Sequence, residues 1–185
     1  MRRPLADIIA SYQRNASLAD ASTIPAEWYT DPRVLELERR TVFSRAWQVA
    51  GRIDQLRRPG QYVACDTAAG EPIVLVRGSD NELRGFFNVC RHHAAAVATA
   101  PEGSATHLRC PYHGWTYSLE GDLKGTPDFA GVCNFDRASN GLVPVATDVW
   151  ENWAFVRVER EGPSLAGFIG DDLTGRFGAY ALGGL

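Results

Sequence analysis

Val89-Cys90-Arg91-His92-His93-Ala94-Ala95 and, further on, Arg109-Cys110-Pro111-Tyr112-His113-Gly114-Trp115 are the two stretches that decide how this chain is read. Each supplies one thiolate and one imidazole, and each ends in small or turn-forming residues suited to a tight loop. The 17 residues between His92 and Cys110 suffice to leave one loop, form a turn and a strand, and return beside it. Four ligands in two matched pairs serve a metal centre in one of two ways. In a [2Fe–2S] cluster, Cys90 and Cys110 hold one iron and His92 and His113 the other. Replacing two thiolates by neutral imidazoles removes two negative charges and raises the reduction potential by roughly hundreds of millivolts. The alternative is tetrahedral zinc on the same four side chains. Structural zinc favours Cys-x₂₋₄-Cys and His-x₃₋₅-His pairs, so Cys-x-His with Cys-x₂-His suits it poorly.

Outward from these loops the apolar period is two, which predicts many short strands. They fall at Gln48–Gly51, Gln61–Asp66, Pro72–Arg77, Leu83–Val89, Thr106–Cys110, Trp115–Leu119, Leu123–Lys124, Leu142–Val145 and Asn152–Val158. Gly78-Ser79-Asp80-Asn81 and Glu120-Gly121-Asp122 read as hairpin loops. Close spacing of strands argues for antiparallel sheets rather than β-α-β units. The fold class is therefore mainly β, with N-terminal helices. One short helix starts at Pro4, with Leu5, Ile8, Ile9 and Tyr12 on one face. A second has Asp31 as N-cap and Pro32 at its first position and runs to about Arg45, with Leu35, Val42, Phe43, Ala46 and Trp47 as its apolar face. From Gly162 to Leu185 a weak helical pattern (Leu165, Phe168, Ile169, Leu173) is broken by six glycines from Gly167 on. The expected organisation is a helical lead at 1–46, the ligand-bearing domain at 47–160 and a linking segment at 161–185.

Composition excludes several classes. The chain has 185 residues, 45% hydrophobic and 22% charged, with a net charge of −3. That is one ordinary globular domain, neither a disordered tail nor a basic nucleic-acid binder. No apolar run approaches the roughly 20 residues needed to cross a bilayer, the longest being Ile73-Val74-Leu75-Val76. Met1-Arg2-Arg3 invites a secretory reading, but Asp7, Ser11, Gln13, Arg14 and Asn15 interrupt any apolar h-region. A cytoplasmic chain is expected, in which cysteines serve as metal ligands or buried thiols rather than disulfides.

Cys90-x-His92, the 17-residue gap and Cys110-x₂-His113-Gly114-Trp115 resemble the Rieske domain in the large subunit of Rieske non-heme iron oxygenases. The resemblance runs from about Trp28 to Val158. Trp47-Gln48-Val49-Ala50-Gly51, Cys90-Arg91-His92-His93 and Gly141-Leu142-Val143-Pro144 resemble the choline, carnitine and glycine-betaine monooxygenase branch. The resemblance implies a [2Fe–2S] cluster on Cys90, His92, Cys110 and His113. Respiratory Rieske proteins carry a loop disulfide, and its positions here are Ala95 and Tyr112. The serine that bonds the cluster there is replaced by Trp115. Fewer donors to the sulfurs imply a potential at the low end of the Rieske span, negative or near zero.

Further expectations concern neighbouring residues. His93 and His107 are read as supporting or surface groups, and Cys65 and Cys133 as buried thiols. Tyr117 matches a tyrosine that bonds a cluster cysteine in related domains, and Trp115 shields the cluster. Arg39-Arg40 and Arg57-Arg58 are read as solvated surface. The resemblance also implies a mononuclear Fe(II) on two histidines and a carboxylate in a catalytic domain beginning at about Gly183–Leu185. This chain has no histidine after His113. It is expected to relay single electrons from a flavin or ferredoxin-type reductase to that iron, within a homotrimer. The alternatives are a free-standing Rieske ferredoxin and a structural zinc module.

Overall fold

The computed structural model describes residues 2–180 and 182–184. Met1, at the head of the expected lead, and Ala181 and Leu185, in the expected link, lie outside them. Helices α1 (Leu5–Ala10), α2 (Glu27–Thr30) and α3 (Pro32–Glu38) come first. The strands are β1 (Gln48–Arg52), β2 (Gln61–Asp66), β3 (Pro72–Arg77), β4 (Leu83–Phe87), β5 (Glu102–Ser104), β6 (Leu108–Arg109), β7 (Thr116–Tyr117), β8 (Leu123–Gly125), β9 (Pro144–Trp150) and β10 (Trp153–Arg157). Two short helices follow, α4 (Leu165–Ile169) and α5 (Asp171–Gly178).

β3 explains the architecture. Ile73, Val74, Leu75 and Val76 are all 0% exposed, so the strand is covered on both faces and its sequence is a continuous apolar run. Burying four such side chains stabilises by about 6–12 kcal/mol as an upper bound. One face, Ile73 and Leu75, packs with Ala50, Leu56, Val63, Val145, Ala154 and Val156. The other, Val74 and Val76, packs with Phe86, Leu108, Tyr117, Leu123 and Leu142, and in the same cluster lie Cys90 and Cys110. The strands form a seven-stranded antiparallel sheet in the order β1-β10-β9-β4-β3-β2-β5 and a three-stranded sheet β6-β7-β8. Gly85 in β4 is needed where β9 crosses closely: a Cβ there would lie 2.5 Å from Thr147 Oγ1 and 2.9 Å from Val145 Cγ2. The mainly β fold class thus stands, and both hairpin loops form: Gly78 N–H donates to Glu82 O (2.8 Å), and Ser118 N–H to Asp122 O (2.9 Å).

Several boundaries differ from expectation. β9 starts at Pro144 and runs to Trp150, because Pro144 and Val145 pair with β4 and residues 146–150 pair with β10 despite Thr147 and Asp148. β5 has no apolar residue and forms as an exposed edge on β2. The Asp31 cap is present: its carboxylate accepts from Arg33 N–H at 3.0 Å, and the Arg33 guanidinium beside it holds its pKa down at about 2. Beyond α3 the helix continues as a wider turn over Arg39–Phe43, closed by Ser44 N–H to Arg39 O at 3.0 Å. The widening shifts the phase of the residues that follow it. Val34 (1% exposed) and Trp47 (8%) point inward, whereas Leu35 (42%) and Val42 (51%) face solvent. The tail packs back through Leu165, which is 2% exposed, and Trp47 Nε1–H donates to Pro163 O at 3.0 Å. Buried Arg157 completes this junction by donating to the carbonyls of Glu159, Arg160 and Pro163 with its guanidinium over the Trp47 ring. No helix among the described residues is long and apolar enough to cross a membrane.

Candidate metal centre

The first loop leaves β4 and the second joins β6 to β7, so both emerge on the small-sheet side of the core. They close in the same way. Ala94 N–H donates to Cys90 O (3.0 Å) and Cys90 N–H to Ala95 O (2.8 Å); Gly114 N–H donates to Cys110 O (3.0 Å) and Cys110 N–H to Trp115 O (2.8 Å). The fifth residue of each loop is left-handed, Ala94 at φ 60° and Gly114 at φ 72°. In this shared frame His92 occupies the third position and His113 the fourth, and His93 is the first loop's counterpart of His113.

Burial is graded across the site. Cys90 and Cys110 are 2% and 3% exposed and form its floor, while His92 is half-buried and His113 exposed at the rim. The imidazole centroids of His92 and His113 are 4.7 Å apart, and one ring nitrogen from each of His92, His93 and His113 lies within 4.8 Å of the others. His92 Nδ1 is buried without a hydrogen-bond partner. Leaving such a group unpaired costs about 1–3 kcal/mol, so a buried lone donor atom beside a thiol pair fits a metal ligand. Burial, then the nearness of His93 and His113, lowers the His92 pKa, which favours the neutral ring that ligation uses. An open cleft of about 870 Å³ borders His92, Cys110, His113, Arg109, Asp128 and Phe129.

Supporting groups fix this geometry. Tyr117, fully buried, accepts from Arg91 N–H at 2.9 Å and lies 3.3 Å from Cys90 Sγ through the same hydroxyl. Burial first, and then the Cys90 contact, raises its pKa, so the phenol stays protonated. Asn88, buried at the end of β4, accepts from Val97 N–H (3.0 Å) and Ala98 N–H (2.9 Å) and donates to Ala98 O (2.8 Å). It staples the far side of the first loop, and its only sequence signal was an amide closing a strand. Trp115 is 3% exposed, lies parallel to the His92 ring (4.6 Å, 1°), and meets Phe129 and Phe135 edge-on. Those two phenylalanines were missed by sequence reasoning, because the 127–136 segment shows no period.

The remaining candidates are placed as follows. His93 is exposed with its ring 3.9 Å from that of His92, and His107 is exposed beside Thr106. All four cysteines are unbridged. Cys65 is half-buried against the core, but Cys133 is exposed, contrary to expectation. The loop spends its apolar contacts through Phe129 and Phe135 on Trp115, which leaves Val132 (52% exposed) and Cys133 at its outer side. The arginine pairs at 39–40 and 57–58 are exposed.

Residues 46–136 match the model of the Rieske [2Fe-2S] domain family. The carnitine monooxygenase oxygenase subunit of Escherichia coli (strain K12) is 34% identical over 167 residues, which are 90% of this chain and 43% of that protein. A solved quaternary ammonium Rieske monooxygenase, whose description names carnitine oxidation and inter-subunit electron transfer, superimposes with a TM-score of 0.73 at 28% identity, covering 87% of this chain and 42% of that one. Naphthalene 1,2-dioxygenase from Rhodococcus sp. gives a TM-score of 0.77 at 30% identity, covering 84% and 36%. The chain thus spans less than half the length of these proteins.

Proposed function

This chain belongs to the Rieske oxygenase family through its Rieske [2Fe–2S] domain, and from that premise we propose that it relays single electrons, with Cys90, His92, Cys110 and His113 as the cluster ligands. The observation that supports the ligand assignment is the pair of equivalently closed loops, each carrying one buried thiol and one imidazole, with His92 Nδ1 unpartnered. When bound, the [2Fe–2S] cluster supplies a one-electron couple whose potential is raised by its imidazole ligands. The chain's own residues do the rest. Cys90 and Cys110, buried, keep the sulfur end dry and electrostatically costly to charge. His92 and His113 at the rim present the electron's exit toward the surface. The Tyr117 hydroxyl and the Arg91 N–H form a short relay of hydrogen bonds ending on Cys90.

In this reading, residues 1–46 are a helical lead, 47–160 the Rieske domain and 161–185 a link to a catalytic domain holding a mononuclear iron. The donor is a flavin or ferredoxin-type reductase, and the parent enzyme is a cytoplasmic homotrimer that hydroxylates or demethylates a small organic substrate. The inter-subunit electron transfer named for the quaternary ammonium relative supports an assembly of more than one subunit. The test is EPR of the dithionite-reduced protein with iron and acid-labile sulfide assayed on the same sample. Two irons, two sulfides and a rhombic signal with mean g below that of all-cysteine clusters are expected, and Cys90→Ser, Cys110→Ser, His92→Ala and His113→Ala should each abolish the signal. A colourless protein that holds zinc after iron-replete, anaerobic preparation refutes the proposal.

A further inference from the structure

We propose that Trp115 is the positioning residue for His92, and that Phe129 and Phe135 carry this control into the 127–136 loop. The inference rests on His92 being a cluster ligand. With Nδ1, which has no hydrogen-bond partner, committed to the metal, the rotation of the His92 ring about that bond falls to its flat neighbours. Two neighbours are exposed to solvent: His93, tilted by 44° with its centroid at 3.9 Å, and His113, edge-on at 4.7 Å. The third is the Trp115 indole, parallel to within 1° at 4.6 Å and 3% exposed. Only the indole is itself immobilised. Phe129 meets it edge-on at 5.5 Å and Phe135 at 5.7 Å, and the two phenyl rings meet each other at 4.7 Å. Edge-on aromatic contacts each add about 0.5–1.5 kcal/mol beyond the area they bury, enough to fix one rotamer of a buried ring.

The two histidines are held differently. His113 stacks on Tyr112, whose ring is 3.9 Å away but 65% exposed, so water reaches that pair. His92 is packed against an apolar aromatic cluster instead. A ligand plane fixed by a dry, polarisable surface sets the overlap of imidazole and metal orbitals and keeps water off that side of the centre. The first controls the electronic structure, the second the cost of adding an electron. The 127–136 loop, left-handed at Asp128, Gly131 and Asn134, is therefore part of the redox apparatus through its two phenylalanines.

The experiment compares wild type, Trp115→Leu, Trp115→Phe and the double variant Phe129→Leu/Phe135→Leu, each assayed for iron and sulfide. Pulsed EPR of the reduced holoprotein reads the ¹⁴N couplings of the two histidines, and a redox titration reads the midpoint. Trp115→Leu should change the coupling of one histidine and leave the other. It should raise the reduced-to-oxidised ratio at the wild-type midpoint up to tenfold, which is up to about 59 mV for one electron. Trp115→Phe, which keeps a ring to stack, should restore both readings, and the double variant should move them the same way by less. Loaded Trp115→Leu protein with unchanged couplings and midpoint overturns the inference and leaves the relay reading intact. If Trp115→Leu does not fold, unchanged couplings in the loaded double variant overturn it. A wild-type protein without iron and sulfide overturns the relay reading and this inference together.

Discussion

Replacing Tyr117 by Phe removes one oxygen atom and separates the structural from the redox role of that side chain. The hydroxyl accepts from Arg91 N–H at 2.9 Å, so its single proton is directed to Cys90 Sγ, 3.3 Å away. Tyr117 is 0% exposed, so no bulk water replaces the lost oxygen. The orphaned Arg91 N–H costs about 1–3 kcal/mol of stability. The sulfur also loses a donor whose interaction strengthens as the centre gains negative charge. If that strengthening is about 1–2 kcal/mol, the midpoint falls by about 40–80 mV for a one-electron couple. Urea unfolding measures the first effect and a spectroelectrochemical titration the second. Burial raises the Tyr117 pKa above its ordinary 10.0, so the phenol keeps its proton through neutral and mildly alkaline pH. The sign for stability follows: above about pH 10 the unfolded phenol ionises while the folded one does not, and stability falls there in wild type but not in Tyr117→Phe. A fully loaded Tyr117→Phe protein with an unchanged or raised midpoint refutes the reasoning.

Other substitutions test the frame around the site. Ala94→Gly should stabilise by up to about 1 kcal/mol in urea titrations, since the left-handed backbone at φ 60° costs Ala about 1–2 kcal/mol and the added unfolded-state freedom of Gly returns part of it. Gly114→Ala should do the reverse, losing about 1–2 kcal/mol and some iron, because φ is 72° and the new Cβ would lie 3.2 Å from Arg109 Nη2 and 3.3 Å from Pro127 Cγ. Arg157→Met should destabilise by about 2–4 kcal/mol by leaving the carbonyls of Glu159 and Arg160 without this donor and Pro163 O with Trp47 alone, and Arg157→Lys should recover only part of this in the same titration. Glu120 accepts from Ser79 Oγ and N–H, which lowers its pKa from 4.5 to about 2. Its contribution is present above about pH 4.5 and is lost as pH falls toward 2. Because the carboxylate largely faces solvent, Glu120→Gln should flatten that acid slope only slightly, and less at high salt.

How far the sequence went depended on the kind of signal each element carries. β3 was legible because a strand buried on both faces is apolar at every position, and Asp31-Pro32 because a cap and its proline act within one turn. β5 was not, since an exposed edge strand is ordered by its partner's backbone and leaves no mark on its own side chains. The inward face of α3 was misjudged for a related reason. The expected stripe assumed 3.6 residues per turn through to Arg45, whereas the wider turn at Arg39–Phe43 changes the phase beyond α3, and within α3 it is Val34 rather than Leu35 that is buried.

The ligand loops show the deeper limit. Cys-x-His and Cys-x₂-His look like different motifs along the chain, yet the backbone closes both with the same two hydrogen bonds and a left-handed fifth residue. The one-residue difference in spacing is therefore a difference in which position of one turn carries the imidazole. That places His93 where the second loop has His113, its proposed ligand, and it makes the two loops distinguishable only by their surroundings. Trp115 belongs to the second loop but lies flat on the His92 ring of the first, so the first loop's chemistry depends on a residue of the second. No local pattern encodes such a contact. It exists because β6 and β7 pair at Leu108 with Tyr117 and Arg109 with Thr116, holding the second loop at a fixed height beside the first. Two residues of ladder thus decide whether four well-spaced ligands are a motif or a centre.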